Sequence, residues 1–323
     1  CSAIDPTDVL LCQHLSHFFP SFFSITITGS FSEIFSKWHS DEIKINCSNS
    51  ENSPTIGIEI KKSKINNRIH LTCNEKQDIK ATINLQIHDN AALEFIDEAN
   101  YEGATDIKMN TIMRSNAVFE LYRFNKFNVS TKNSFVHNCD LQSNCVFRDF
   151  NFSNGSKEMS NITKISLNEK NSKYIGSGVV IADSTNCKNQ LDISHMSQSA
   201  ISDCSFKTVS RGKSNVTFKG KVFVDDDCSD TVSSQISKGL VMSDESKINL
   251  TPILEINNDD VVCSHGAASG KPDDSVLFYL ASRGIEKSDA EKLYMQGFLS
   301  EFLNKIENVQ MQSKARDYIN QNC

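Results

Sequence analysis

The chain has 323 residues and 36.1 kDa, with 33 Lys and Arg against 40 Asp and Glu, a net charge of −7 and a pI of about 5.7. This acidic balance argues against a phosphate-neutralising surface, and no apolar run approaches the ~18 residues of a membrane-crossing helix. Neither nucleic acid nor a bilayer is an expected partner. With 38% hydrophobic and 23% charged residues the composition is that of a folded chain, long enough for one elongated domain or two ordinary ones.

Asparagine stands out, with 31 residues beside abundant Ser and Ile and only 5 Pro. Asn and Ser favour turns over helix interiors, so with regular Ile, Val and Phe they predict short strands joined by polar turns. The 11 cysteines are an odd number, scattered from Cys1 to Cys323 without a CxxC pair. That suits neither a dense disulfide framework nor a zinc site, although Cys139 and Cys145 lie close to His137 in sequence. They read as reduced thiols in a cytosol-like compartment.

In chain order, residues 1–75 form a mixed zone. Phe18, Phe19, Phe22, Phe23, Phe31 and Phe35 surround candidate strands, and a hydrophilic stretch, SNSENSP, spans 48–54. The apolar run from Phe18 to Thr28 is short, contains Pro20, and lacks the basic flank and cleavage site of a signal peptide.

Residues 76–271 are a succession of apolar/polar alternations of the half-buried strand type, such as Ile83-Asn-Leu85-Gln-Ile87 and Val216-Thr-Phe218. Within them a turn phrase recurs, anchored at Asn90, Asn116, Asn144, Asn171, Ser199 and Asp227, with spacings of 26, 28, 27, 28 and 28. Each anchor precedes a small residue: Ala91, Ala117, Cys145, Ser172, Ala200 and Cys228. A polar turn residue plus a small inward residue every ~27 positions suits one coil of a parallel β-solenoid. It is harder to reconcile with an antiparallel sandwich, which needs no fixed period. Cys145 and Cys228 then read as small corner fillers.

After Pro272 the texture becomes helical, through 323. Asp273 or Asp274 caps SVLFYLASR, which stops at Gly284 as the left-handed residue past the helix end. Ser288-Asp-Ala-Glu291 reads as a capping box opening a helix that carries Leu293, Tyr294, Gly297, Phe298, Phe302 and Ile306. A helical hairpin closing the solenoid end is one explanation of this module. Its aromatic residues and the small Gly297 also suit a docking surface for another chain.

Between the two lies Cys263-Ser264-His265-Gly266. On an extended segment Cys263 and His265 share a face, the imidazole would favour the thiolate, and Gly266 leaves the ring approachable. There is no G-x-S-x-G, no Walker A loop and no G-x-G-x-x-G, so hydrolase, NTPase and dinucleotide functions lack support.

The stretch DDVVCSHGAASG (259–270), followed by LFYLASRGI (277–285) and a helix reaching Phe298, resembles the C-terminal signature of the SufB/SufD family, in its SufD branch. The likeness continues upstream through SDESKINLTPILEINNDD (243–260), FKGKVFVDDD (218–227) and DISHMSQSAISDCSFKTVSRGKSNVTF (192–218), covering roughly 80–310. The resemblance implies a mainly β protein, with a parallel β-helix core and a C-terminal helical module. It implies a non-enzymatic scaffold that pairs with SufB through the β-helix end. The SufC ATPase would bind the helical module at Phe278, Tyr279, Arg283, Gly284, Leu293, Gly297, Phe298 and Phe302. A transient iron–sulfur cluster would form at the SufB interface, with His265 as the principal residue and transient iron ligand, Cys263 as a lesser candidate, and no cofactor held permanently. The implied compartment is the bacterial cytoplasm or a plastid. The short N-terminal zone, with Trp38 in SKWHS, departs from the longer helical region usual in the family. Two other readings compete: a secreted β-helix polysaccharide lyase, hinted at only by Asp225-Asp226-Asp227, and a solenoid that only binds proteins.

Overall fold

The period-2 alternation produces strands with one buried and one open face: Ile79–Ile87 alternates strictly, its odd-numbered residues buried. A computed structural model describes residues 23–28, 38–39, 43–48, 54–62, 67–75 and 77–323. The sequence features at Cys1, Phe18, Phe19, Phe22, Phe31 and Phe35 lie outside the described residues. One sheet contains β1 (Phe23–Thr28), β5 (Asn67–Glu75), β7 (Ala92–Tyr101), β9 (Val118–Phe127), β11 (Val146–Gly155), β13 (Lys173–Asp183), β15 (Ile201–Arg211), β17 (Thr231–Val241) and β19 (Val261–Gly270), in that order. The facing sheet runs from β2 (Trp38–His39), β3 (Ile43–Ser48) and β4 (Thr55–Ile60) through β6 (Ile79–Ile87), β8 (Thr105–Met113), β10 (Lys132–Leu141), β12 (Glu158–Leu167), β14 (Asn186–His195) and β16 (Asn215–Val224) to β18 (Lys247–Ile256). From β4 onward consecutive strands alternate between the sheets and pair in parallel with the strand two later, giving a parallel β-solenoid of about seven turns. Only β2, β3 and β4 pair antiparallel among the described strands. The coil also continues upstream of residue 76, because β4 pairs with β6 and β5 with β7.

The corners account for the asparagines. Asn90, Asn116, Asn144, Asn171 and Ser199 all adopt φ between 56° and 59°, the left-handed region that Asn tolerates. Along this corner each amide donates to the one in the preceding coil: Asn116 to Asn90 at 3.2 Å, Asn144 to Asn116 at 3.0 Å, and Asn171 to Asn144 at 3.1 Å. A second ladder lies on the outer face of the facing sheet, with Asn110 donating to Asn84 and Asn138 to Asn110. Seven of the 31 asparagines thus stand in two stacked amide ladders, possible only where identical side chains repeat in register.

The last anchor differs from the expected one. The residue at positive φ is Asp230, not Asp227, and Thr231 rather than Cys228 stands in register with Ala200. The corner before β17 holds three extra residues, lengthening the final spacing. Cys228 is nevertheless fully buried, its Sγ 3.2 Å from the His195 carbonyl oxygen, so it still fills a corner, as Cys145 does.

Register also stacks the interior. Phe119 lies on Phe147 with centroids 4.9 Å apart, and Tyr174 follows at 5.5 Å. Polar residues enter this core as a hydrogen-bonded group: Arg123 donates to both Asp149 oxygens at 3.1 and 3.3 Å and lies over the Phe135 ring. Burial nonetheless raises the Asp149 carboxyl above its ordinary range, with Arg123 opposing it, and lifts neighbouring Asp97 to about 6. Burial holds two interior histidines neutral, His137 at about 3 and His195 at about 4.

The helical module does not plug the solenoid end. It lies across the outer face of the β1–β19 sheet, because that face is apolar over Ile96, Tyr122, Phe124, Phe150, Phe152, Val179, Ile181 and Val209. α1 (Asp274–Ser282) is followed by α2 (Lys287–Ser300), a 3₁₀ turn (Glu301–Lys305) and α3 (Val309–Asn322). Phe302 sits edge-on to Phe150 and Phe152 at 6.4 and 5.4 Å, and the Tyr318 hydroxyl donates to the Asn125 carbonyl at 2.9 Å. Lys207, buried in β15, donates to the Phe298 carbonyl and pairs with Glu301 at 2.5 Å, pinning the end of α2. The capping box at Ser288 is not formed. Glu286 is the extended N-cap without a side-chain bond, and the first turn closes from Ala290 N–H to the Glu286 carbonyl. The helix also stops at Ser300, and the tighter turn that follows carries Phe302 down onto the sheet.

Two predictions follow from these contacts. Phe302→Ala removes a fully buried ring and should destabilise the chain by about 3–5 kcal/mol in urea unfolding. The histidine contribution to stability is complete above pH 6.5. It is lost as pH falls toward 4 and then 3, because the unfolded chain takes up those protons first. His137→Gln should make the fall in urea midpoint between pH 6.5 and 4 shallower than in the parent chain.

Candidate functional site

The solenoid ends on β18 and β19, and no further described strand pairs with either. Inward residues that would be core in earlier coils are here only half-buried, including Leu250, Leu254, Val261 and Cys263. Register places Cys263 on Ser233 and His265 on Gln235, both on the inward side. The shared face expected of the C-x-H spacing is present, at the rim of the open end. His265 is exposed, so its ring is approachable from solvent. Val262, on the opposite side of the strand, is 70% exposed.

The thiolate expected at Cys263 is not favoured. Burial raises the thiol above its ordinary value, and the backbone of Ser233 offsets this only in part. Its chemistry at neutral pH is that of a packed thiol. Among the described residues no group of three His, Cys, Asp or Glu side chains is gathered as a metal site.

Two features below the rim escaped the sequence reading. The column that runs Phe119, Phe147, Tyr174 turns polar at Ser202 and Ser233 before reaching Cys263. His195, at the end of β14, fills the freed space and bonds Ser202 at 2.9 Å, with Ser202 and Ser233 2.8 Å apart. The second feature is Gln235 beneath His265. Counting coil spacings back from His265 would have found both, but the extra residues in the last corner shift the register.

The expected docking residues divide in two. α1 buries none of its residues and packs mainly on α2, leaving Phe278 77% and Tyr279 56% exposed. Arg283 lies 5.3 Å from the Tyr279 ring, and Gly284 has φ +83°, as expected past a helix end. Leu293 is half exposed, and Gly297 faces open space. Phe298 is partly buried under the Lys207 ammonium, 4.7 Å from its ring. Phe302 is a correction: its ring is sealed against Phe150 and Phe152 and is not available to a partner. The Asp225-Asp226-Asp227 run is a turn whose last two residues are exposed, with a hydrogen bond between neighbours, and it gathers no cation cluster.

These elements define a class: an open-ended parallel β-solenoid with a helical module laid on one sheet and a Cys-x-His pair at the rim. Residues 69–298 match the family described as SUF system FeS cluster assembly, SufBD core domain, and the chain belongs to that family. It is similar to the iron–sulfur cluster assembly protein SufD of Escherichia coli K12, with 35% identity over 112 residues, 34% of this chain and 26% of that protein. It is similar to SufD of Bacillus subtilis 168, with 36% identity over 106 residues, 32% and 24% of the two chains. Protein ABCI7, chloroplastic, of Arabidopsis thaliana is 32% identical over 111 residues, 34% and 23% of the two chains. The aligned stretch spans about a quarter of the length of each relative. No helix among the described residues is long and apolar enough to cross a membrane.

The raised Cys263 thiol predicts slow alkylation. In peptide mapping by mass spectrometry, iodoacetamide should label Cys263 more slowly than a free thiol at pH 7.5, with the gap closing as pH rises. Labelling at the free-thiol rate would contradict the assignment.

Proposed function

We propose that this chain is a non-enzymatic scaffold of iron–sulfur cluster assembly, pairing end to end with a SufB-type solenoid and carrying the SufC ATPase on its helical module. The observation that carries the reading is the unclosed last coil. β18 and β19 offer unpaired backbone edges beside exposed Val262 and Ile256, and a second solenoid can continue both sheets. His265 stands at the rim of that edge, with no group of three candidate ligands gathered among the described residues. A cluster built there takes the rest of its coordination from the partner, and the cluster is cargo. ATP hydrolysis belongs to the partner, since no phosphate-binding loop is present in the sequence.

Exposed Phe278 and Tyr279 on α1 supply the apolar anchors of an ATPase interface, with Arg283 beside them. We place this role in a bacterial cytoplasm or a plastid, the relatives being two bacterial SufD proteins and a chloroplastic protein. The competing reading is a solenoid that binds the same partners without contributing chemistry, favoured by the raised Cys263 thiol.

His265→Ala separates the two. In the co-purified three-subunit complex it should leave subunit ratios unchanged while cluster absorbance per complex falls at least about tenfold; undiminished absorbance would leave only the binding role. Phe278→Glu should abolish co-purification of the ATPase while the chain keeps its β-sheet circular dichroism, and unchanged co-purification would remove α1 from that interface.

A further inference from the structure

The middle of the solenoid buries more carboxyl groups than it has cations to pair with them. Asp97 on β7, Arg123 on β9 and Asp149 on β11 are only 7%, 3% and 4% exposed, so one guanidinium stands among two buried carboxyls. It serves one of them. Arg123 donates to both Asp149 oxygens, at 3.1 and 3.3 Å. No Lys, Arg or His nitrogen among the described residues forms an ion pair with Asp97. That carboxyl accepts instead from the Ala99 amide at 3.2 Å and from the Asn125 side chain.

The other surroundings of Asp97 supply neither charge nor solvent. Leu71 stands in register with it on β5, and β6 and β8 present Ile83, Ile107 and Met109 to the same space. His137 on β10 is fully buried, and burial together with Arg123 keeps its ring neutral. Glu98, the next residue of β7, is tied to His70 and Lys314, and its charge further disfavours a carboxylate at Asp97. The cavity beside Asp97 has about 10 Å³ of room, which holds one water at most. An ionised carboxyl there cannot recover a hydration shell. A buried carboxyl in that position takes up a proton in preference to staying charged.

We infer that Asp97 is a proton-binding site: in the folded chain the ion pair belongs to Arg123 and Asp149, Asp97 carries a proton, and losing that proton loosens the middle coils. In the unfolded chain an aspartate ionises near pH 3.8, whereas burial in the solenoid lifts Asp97 to about 6. The stabilisation from the bound proton is therefore complete below pH 3.8 and is lost as pH rises through 6. The interior histidines act in the opposite direction, since their contribution is lost toward acid. Comparison with a variant lacking only the Asp97 proton separates the two effects.

The test is a ¹³C titration of the side-chain carboxyls in the full chain labelled at aspartate, from pH 5 to 8. Exposed aspartates are already ionised over that range. One resonance should titrate with a midpoint of about 6 and be missing from Asp97→Asn. In urea unfolding, the unfolding constant of the parent relative to Asp97→Asn should rise about tenfold between pH 5 and pH 7.5. An Asp97 resonance that is already fully ionised at pH 5 overturns the inference, and so does a ratio of unfolding constants that does not change with pH. Should the Asn variant fail to fold, Asp97→Ser identifies the resonance and serves as the reference, with the same expectations.

Discussion

Everything in this molecule depends on register between one coil and the next. From β4 onward each strand hydrogen-bonds to the strand two later, so its side chains are stacked on residues 26–32 positions away. That single constraint turns repeated Asn into amide ladders and repeated Phe into ring stacks. A polar residue costs least where its stacked neighbours can bond it, which is why Arg123 is found with Asp149 on the adjacent strand. At the last coil the constraint runs out, and the column positions that are core elsewhere become the rim on which Cys263 and His265 stand.

The helical module follows from the same order. A solenoid sheet has an outer face, and where that face carries Tyr122, Phe124, Phe150 and Phe152 in two stacked rows it must be covered. α2, the 3₁₀ turn and α3 supply the cover, held by ionic contacts from Lys207 to Glu301 and from Lys305 to Asp203 at 2.9 Å. With those helices spent on the sheet, α1 is left uncommitted, its aromatic residues directed to solvent a few residues after the rim strand. The two surfaces that the proposed assembly needs are thus joined by Pro272 and its neighbours.

Much of the coil was legible because turns punctuate it: Asn90, Asn116, Asn144, Asn171 and Ser199 are the left-handed corners that their spacing announces. The shift from Asp227 to Asp230 was not legible, since three acidic residues before Cys228 imitate the turn phrase and only pairing decides which residue bends. The Cys263 and His265 face was read from alternation alone. The thiol's state was not, because burial in a half-open coil outweighs a neighbouring imidazole. Phe302 misled for a similar reason: helical spacing put it beside Phe298, but the helix tightens at Glu301 and rotates the ring onto Phe150. Lys207 carries no local motif, and its role exists only between the sheet and the helical module.

The central claim is that the last coil is an open pairing edge, and hydrogen exchange of its amides tests it most directly. In the isolated chain the outward-pointing amides of Val261–Gly270 should exchange fast while those of Thr231–Val241 remain protected. Adding a SufB-type partner should slow the former and leave the latter unchanged. Equal protection of both strands in the isolated chain, or no change on adding the partner, would contradict the account.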